Sequence, residues 1–274
     1  MSKYFGGLKP LPQDQRDIKF GAIFKPLDLS KLPYRWIVKE PLTIKDQMET
    51  DFCTACASTA VSEDQELIIF SPEWQFAVAK QGDLGWGCDL RQMAHSLIKY
   101  GSLPMDYSPY AFGERTRDFM ADYANWQPEL ERVAKPYRKK SYAFIDPYIG
   151  TDLFDTIRIV LYKGKSVFTG ALWRDSWTYA AGGLIPKEYE ANGFGHAFKI
   201  MGYDGGNLIL QLSNGTDIGD KGLFYMPREV ANKELTFGCV TFTDIDKDEL
   251  DYRQRYHKII AKLLALLKKL SKLL

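Results

Sequence analysis

The apolar periodicity of this chain changes once, near residue 150, and that change narrows the folds open to it. Segments 52–62, 72–82 and 89–100 carry apolar residues at helical spacing, and Gly101-Ser102-Leu103-Pro104 stops the last of them. From about 155 the apolar runs become short and rich in β-branched or aromatic residues. They fall at 166–173, 196–202, 207–213, 222–226 and 236–243, with turn signals such as Asp204-Gly205-Gly206 between them. A helical half followed by a strand half predicts an α+β chain with two lobes and a cleft between them. There is no internal repeat.

The two ends differ from this middle. Five of the thirteen prolines fall in the first 45 residues, which predicts an extended N-terminal arm over 1–45 packed along a surface. The next 200 residues, 46–245, form the main domain, with a helical lobe over about 46–137 and a strand lobe over about 138–245. Residues 246–274 start acidic and end basic, an order that suits a helix dipole. Tyr252, Tyr256, Ile259, Leu263, Leu266, Leu270 and Leu273 recur at alternating four-three spacing, a heptad seam. An amphipathic C-terminal helix is expected, with self-association or membrane-surface contact through residues 252–274. Packing back onto its own domain is the simpler alternative.

Charge and cysteine usage exclude several classes. Thirty-six Lys+Arg against 35 Asp+Glu leave a net charge of +1, so nothing points to a nucleic-acid partner. Four scattered cysteines do not make a disulfide scaffold. The opening MSKYFGGLKP lacks a signal peptide's apolar core, and no uncharged run is long enough for a membrane span. A cytoplasmic or virion-carried protein is expected. No cofactor or metal is expected either, because no second close Cys/His pair supports a zinc site.

One segment carries the chemistry. In Gln47-Met48-Glu49-Thr50-Asp51-Phe52-Cys53-Thr54-Ala55-Cys56, Asp51 can cap a helix whose first turn holds Cys53. From Cys53 to Val61 there are no charges and the alanines are small, which describes a buried helix with its N-terminus facing a cleft. Such a position favours a thiolate nucleophile. Read blandly, Cys53 is a small core residue. Read as a pair, Cys53 and Cys56 have thioredoxin-type spacing, although no clear strand leads into them. A nucleophile needs a base. Of the three histidines, His95 lies in a helix and His257 in the basic tail, whereas His196 opens an apolar strand directly after Gly-Phe-Gly.

These residues, taken together, resemble the papain-like cysteine peptidases, in particular their bacterial and phage-type members. Gln47 and Cys53 keep the family's interval between its oxyanion-hole Gln and its nucleophile. SPEWQF and GCDLRQMAHSLIKYGSLPMDYSPY resemble the helical-lobe segments, and NGFGHAFKIMGYD resembles the Gly-His-Ala strand. The interval from Cys53 to His196 is usual for papain relatives. The resemblance covers roughly residues 10–245 and implies a papain-like two-lobe fold, a helical lobe plus an antiparallel β-barrel-like lobe, without a prodomain.

By that resemblance the chain is a cysteine peptidase acting on peptide or protein substrates. Cys53 would be the nucleophile, His196 the general base and Gln47 an oxyanion donor, with substrate lying along Leu90, Arg91 and Phe194. Departures from the family accompany it. Aligning LQLSNGTDIGDKGLFYMP with the Asn-Ser-Trp-Gly block puts Leu212 at the Asn that orients the base, and Asn214 and Ile218 at its tryptophans. Cys88 matches a family disulfide cysteine whose partner position holds Thr50. Asn214 is the expected substitute for the missing Asn. Without an orienting acceptor, the alternative is a catalytically impaired domain kept for binding or structure.

Overall fold

The computed structural model describes residues 6–243 apart from 13, 15–16, 23–26, 111–113 and 148–149. The expectations for the C-terminal helix and for His257 lie outside the described residues.

One strand, Phe194–Asp204, joins the two halves. Before it come β1 (Arg35–Ile37) and five helices: α1 (Cys53–Glu66), α2 (Pro72–Lys80), α3 (Leu90–Lys99), α4 (Arg117–Ala121) and α5 (Glu129–Ala134). Then follow β2 (Ser141–Phe144), α6 (Leu153–Tyr162), β3 (Val167–Trp173), α7 (Asp175–Thr178) and β4, which is Phe194–Asp204 itself. The chain continues through β5 (Asn207–Gln211), β6 (Leu223–Pro227), α8 (Arg228–Glu234) and β7 (Cys239–Thr243). The sheet runs β2-β7-β3-β4-β5-β6, all pairs antiparallel, with β1 added against β4. No described helix is long and apolar enough to cross a membrane.

Local chemistry explains the helix starts. Ser71 accepts from the Trp74 N–H at 3.2 Å with Pro72 in the first turn, and Asp89 accepts from the Gln92 N–H at 2.8 Å. α1 is buried from Cys53 to Glu63, because its alanines and serines let the sheet and α2 approach it from both sides. β4 is buried along most of its length and alternates between two cores. Phe198 and Ile200 join a cluster with Phe154, Val160 and Trp173, while Ala197 joins α1, α3 and Phe168. Between the cores, Lys199 reaches Asp64 of α1 at 2.6 Å and Lys45 pairs with Glu63, so the buried charges are matched across the α1–sheet contact.

Three elements were not visible in the periodicity. α6 (LFDTIRIVLY) has the β-branched composition of a strand but is started by Asp152, which accepts from the Asp155 N–H at 2.8 Å. α8 is a seven-residue helix after Pro227. β1 lies in the proline-rich arm, so part of that arm is a sheet strand.

Candidate active site

Segment 45–47 is held against 213–215. The Gln47 N–H donates to Ser213 O at 2.8 Å, and the Gly215 N–H to Lys45 O at 3.0 Å. A tight turn follows, with the Thr50 N–H bonded to Gln47 O at 3.2 Å, and α1 then begins at Cys53. Asp51 does not cap this helix. The N-cap is Phe52, which makes no side-chain cap bond. The Asp51 carboxylate instead accepts from Arg117 Nε at 2.8 Å and Nη2 at 2.6 Å, and from the Gly87 N–H. A fully buried carboxylate gains more from a guanidinium fork than from one backbone donor. Arg117 also donates to Leu84 O at 2.7 Å and to Gly85 O at 3.1 Å. The pair therefore fixes loop 84–87 beside the thiol.

His196 enters from β4, opposite Ala171. Its Nε2 lies 3.0 Å from Asn214 Oδ1. An amide oxygen accepts, so the ring proton sits on Nε2 and Nδ1 keeps the lone pair a base needs. Nδ1 is buried and makes no hydrogen bond. Leu212 supplies no acceptor, and the residue against the ring is Asn214, the substitute expected from the sequence. β5 ends at Gln211, and Leu212, 3% exposed, packs in the core with Trp173 and Phe224. Pairing of 213–215 with 45–47 then turns Asn214 toward the ring, while Gln211 points away and donates to Thr43 O at 2.9 Å. The ring is also walled by aromatics, Trp173 at 5.8 Å and Phe194 at 6.0 Å between centroids. Trp173 was missed in the sequence, where it reads only as one apolar residue of a strand.

Gln47 is fully buried. Its Nε2 donates to Thr50 O at 2.7 Å, and its Oε1 accepts from Ser213 Oγ at 2.6 Å. All four cysteines are free thiols. Burial pushes the Cys53 thiol up to about 11, against the opposing pull of backbone N–H groups of Ala197 and Gly7. Burial also lowers the His196 imidazole to about 4, only partly offset by Asn214. At neutral pH the resting pair is thiol and neutral imidazole.

The chain itself adds to the cover over Cys53. Residues 6–9 lie across the cleft, with the Gly7 N–H donating to Cys53 Sγ at 3.3 Å. On one wall the Cys88 N–H donates to Gly7 O at 2.8 Å and the Lys9 N–H to Cys88 O at 3.1 Å. On the other, the Leu8 N–H donates to Gly195 O at 3.0 Å. Trp86 Nε1 closes the end by donating to Gly6 O at 2.7 Å. Nothing in the sequence pattern singled out this segment.

Among solved structures, the fold matches xylellain, a cysteine protease from Xylella fastidiosa. The TM-score is 0.70 at 21% identity, covering 89% of this chain and 97% of that one. The chain has the papain-like fold. Proenzymes share it: proCathepsin B S9 from Trypanosoma congolense matches with a TM-score of 0.61 at 15% identity over 87% of this chain and 85% of that one. Procathepsin L 3 of the Tenebrio molitor larval midgut matches with a TM-score of 0.61 at 13% identity over 88% and 76%. No protein-family model and no curated protein matches the sequence.

Within this papain-like fold, Phe194 stands beside both His196 and the segment in the cleft, since a Cβ on Gly6 would come within 2.6 Å of its ring. Leu90 is fully buried in the helical core. Arg91 pairs with Asp17 at 2.7 Å and donates to Pro12 O at 3.0 Å. His95 is set apart from the cleft residues, 3.2 Å from the Tyr142 hydroxyl.

Proposed function

We propose that this chain is a cysteine peptidase in which Cys53 attacks the peptide carbonyl and His196 moves the proton. The observation that carries the reading is the buried His196–Asn214 contact, which gives the base its tautomer and direction. His196 Nδ1 takes the thiol proton, and the sulfur bonds to the carbonyl carbon. The Gln47 amide and the Cys53 backbone N–H are the donors for the oxyanion that forms. Collapse breaks the C–N bond, the imidazolium protonates the leaving amine, and a thioester remains on Cys53. Water, deprotonated by His196, then releases the acid and restores the thiol. The Asn214 contact favours this reading over an impaired domain, because it supplies an orienting acceptor for the ring.

Prolonged incubation of the full chain with a mixed peptide library, read by mass spectrometry, tests this. Cleavage by the wild type that disappears in Cys53→Ser is expected. Equal cleavage by Cys53→Ser overturns the reading, as does the absence of cleavage by either chain.

A further inference from the structure

β7 lies between β2 and β3 in the sheet, and it ends at Thr243 between two basic flanks. On one side Thr243 stands opposite Ser141, which directly follows Arg138-Lys139-Lys140. On the other, Thr241 Oγ1 donates at 3.0 Å to the carbonyl of Ser166, which directly follows Lys163-Gly164-Lys165. Arg138 and Lys140 are exposed, and Lys163 and Lys165 are half-buried. The α1 carboxylates that reach this edge are already engaged. Glu66 pairs with Lys139 at 2.9 Å, while Asp64 pairs with Lys199 at 2.6 Å and accepts from Ser166 Oγ. In a chain of net charge +1, this edge is a local positive surplus.

The sequence that leaves β7 here has the opposite sign. Residues 244–251, outside the described residues, read Asp-Ile-Asp-Lys-Asp-Glu-Leu-Asp, five carboxylates against one ammonium. Their order fits as well as their charge. The β2–β7 register sets Tyr142 against Phe242 and Ser141 against Thr243, so each step back along β2 meets one step on along β7. Carried past Thr243, that register brings position 244 to Lys140 and position 246 to Arg138, and both positions are aspartates. Opposite charges directly across a strand pair attract, and alternate residues of an extended chain share one face.

The covalent link favours this run over any other anion. A segment joined directly to β7 meets these cations at an effective concentration of roughly millimolar order. An acidic stretch of a second copy, or an anionic lipid surface, has to displace it. Exposed ion pairs are individually weak and are screened by salt, so the tether decides which partner holds the face.

We infer that residues 244–251 are held on their own domain by an electrostatic clasp, with Arg138 and Lys140 on one flank and Lys163 and Lys165 on the other. The clasp fixes the root of residues 252–274, whose heptad seam the peptidase reading leaves unused. It is independent of that reading.

The test is zero-length carbodiimide cross-linking of the full chain, mapped by mass spectrometry on a mixture of isotopically light and heavy protein. The exposed pairs Lys19–Asp146 at 2.8 Å and Lys187–Glu229 at 2.9 Å serve as internal references. At low salt, links from the acidic residues of 244–251 to Lys140, Lys163 or Lys165 are expected within single chains. At about 1 M salt they should fall roughly fivefold relative to the references. Arg138→Glu, which removes no amine, should lower them by a similar factor, and adding Asp246→Arg should restore them. Thermal unfolding shows whether each variant is folded, and if Arg138→Glu is not, the salt series on the wild type decides. References that link while the acidic run does not overturn the clasp, and so do links indifferent to salt. Links found only between light and heavy chains overturn it by assigning the face to a second copy. Binding to phosphatidylserine vesicles by a chain without these links assigns the face to lipid and overturns it too.

Discussion

His196 Nε2 and Asn214 Oδ1 lie 3.0 Å apart in a contact closed to solvent, although His196 is in β4 and Asn214 lies beyond the end of β5. In the proposed mechanism this pair does for the imidazole what the alignment assigned to residue 212. Asn214→Ala is expected to lower kcat by about 10²-fold with little change in KM, because orientation acts in the transition state. Leu212→Asn is expected to add no turnover and to cost about 1–3 kcal/mol, since its amide would lie unpaired among Trp173 and Phe224. Steady-state kinetics and denaturant melts of both variants check this.

The same histidine should shape acid stability. Its folded value of about 4 lies below the ordinary 6.5, so between these limits the unfolded chain binds more protons. The contribution is fully present above pH 6.5 and is lost as pH falls through 4. The difference corresponds to about 3 kcal/mol. His196→Gln is expected to flatten that part of the stability–pH curve, and an unchanged slope would count against a buried neutral imidazole.

Arg117 is the staple of loop 84–87. Arg117→Ala leaves the buried Asp51 carboxylate without its guanidinium, and breaking a buried pair costs about 3–5 kcal/mol. Arg117 keeps some contact with water, so the lower end of that range is expected, with a Tm lower by roughly 6 °C or more. Arg117→Lys should recover only part of this, because an ammonium cannot match the two-oxygen fork. Calorimetry of the three chains reads the order directly.

The Lys199–Asp64 pair binds β4 to α1 through buried charge, and Asp64 also accepts from Ser166 Oγ. Lys199→Met alone should destabilise by about 3–5 kcal/mol, because it strands a carboxylate. Adding Asp64→Leu should recover most of that loss. A double variant no better than the single one would show that the pair supplies net stability.

What was legible followed from periodicity and from intervals. The three long helices of the first half and the strands around His196 appeared close to their observed limits, because each buries one patterned face. Cys53 and His196 stood out as a helix-start thiol and a strand-start imidazole. What was not legible depended on contacts between distant segments. Asn214 stands near the missing Asn in sequence, but its placement against the ring comes from pairing of 213–215 with 45–47 beyond the end of β5. Asp51 read as a cap because nothing nearby in sequence announces Arg117, 66 residues away. Residues 6–9 read only as the start of a proline-rich arm, since two glycines carry no pattern until the walls they pass are known.

Whether this chain is a cysteine peptidase turns on which thiol is the nucleophile and on its dependence on His196. Burial raises all four thiols, Cys53 to about 11 and Cys239 to about 12, so what sets Cys53 apart is its place in the first turn of α1 between Gln47 and the cleft. The deciding measurement is the adduct site and rate for a peptidyl epoxide at neutral pH, mapped by mass spectrometry on the full chain and on His196→Ala. A single adduct on Cys53 is expected, formed about 10²-fold more slowly once the imidazole is removed. A first adduct on Cys56, Cys88 or Cys239, or a Cys53 rate indifferent to His196, would contradict it.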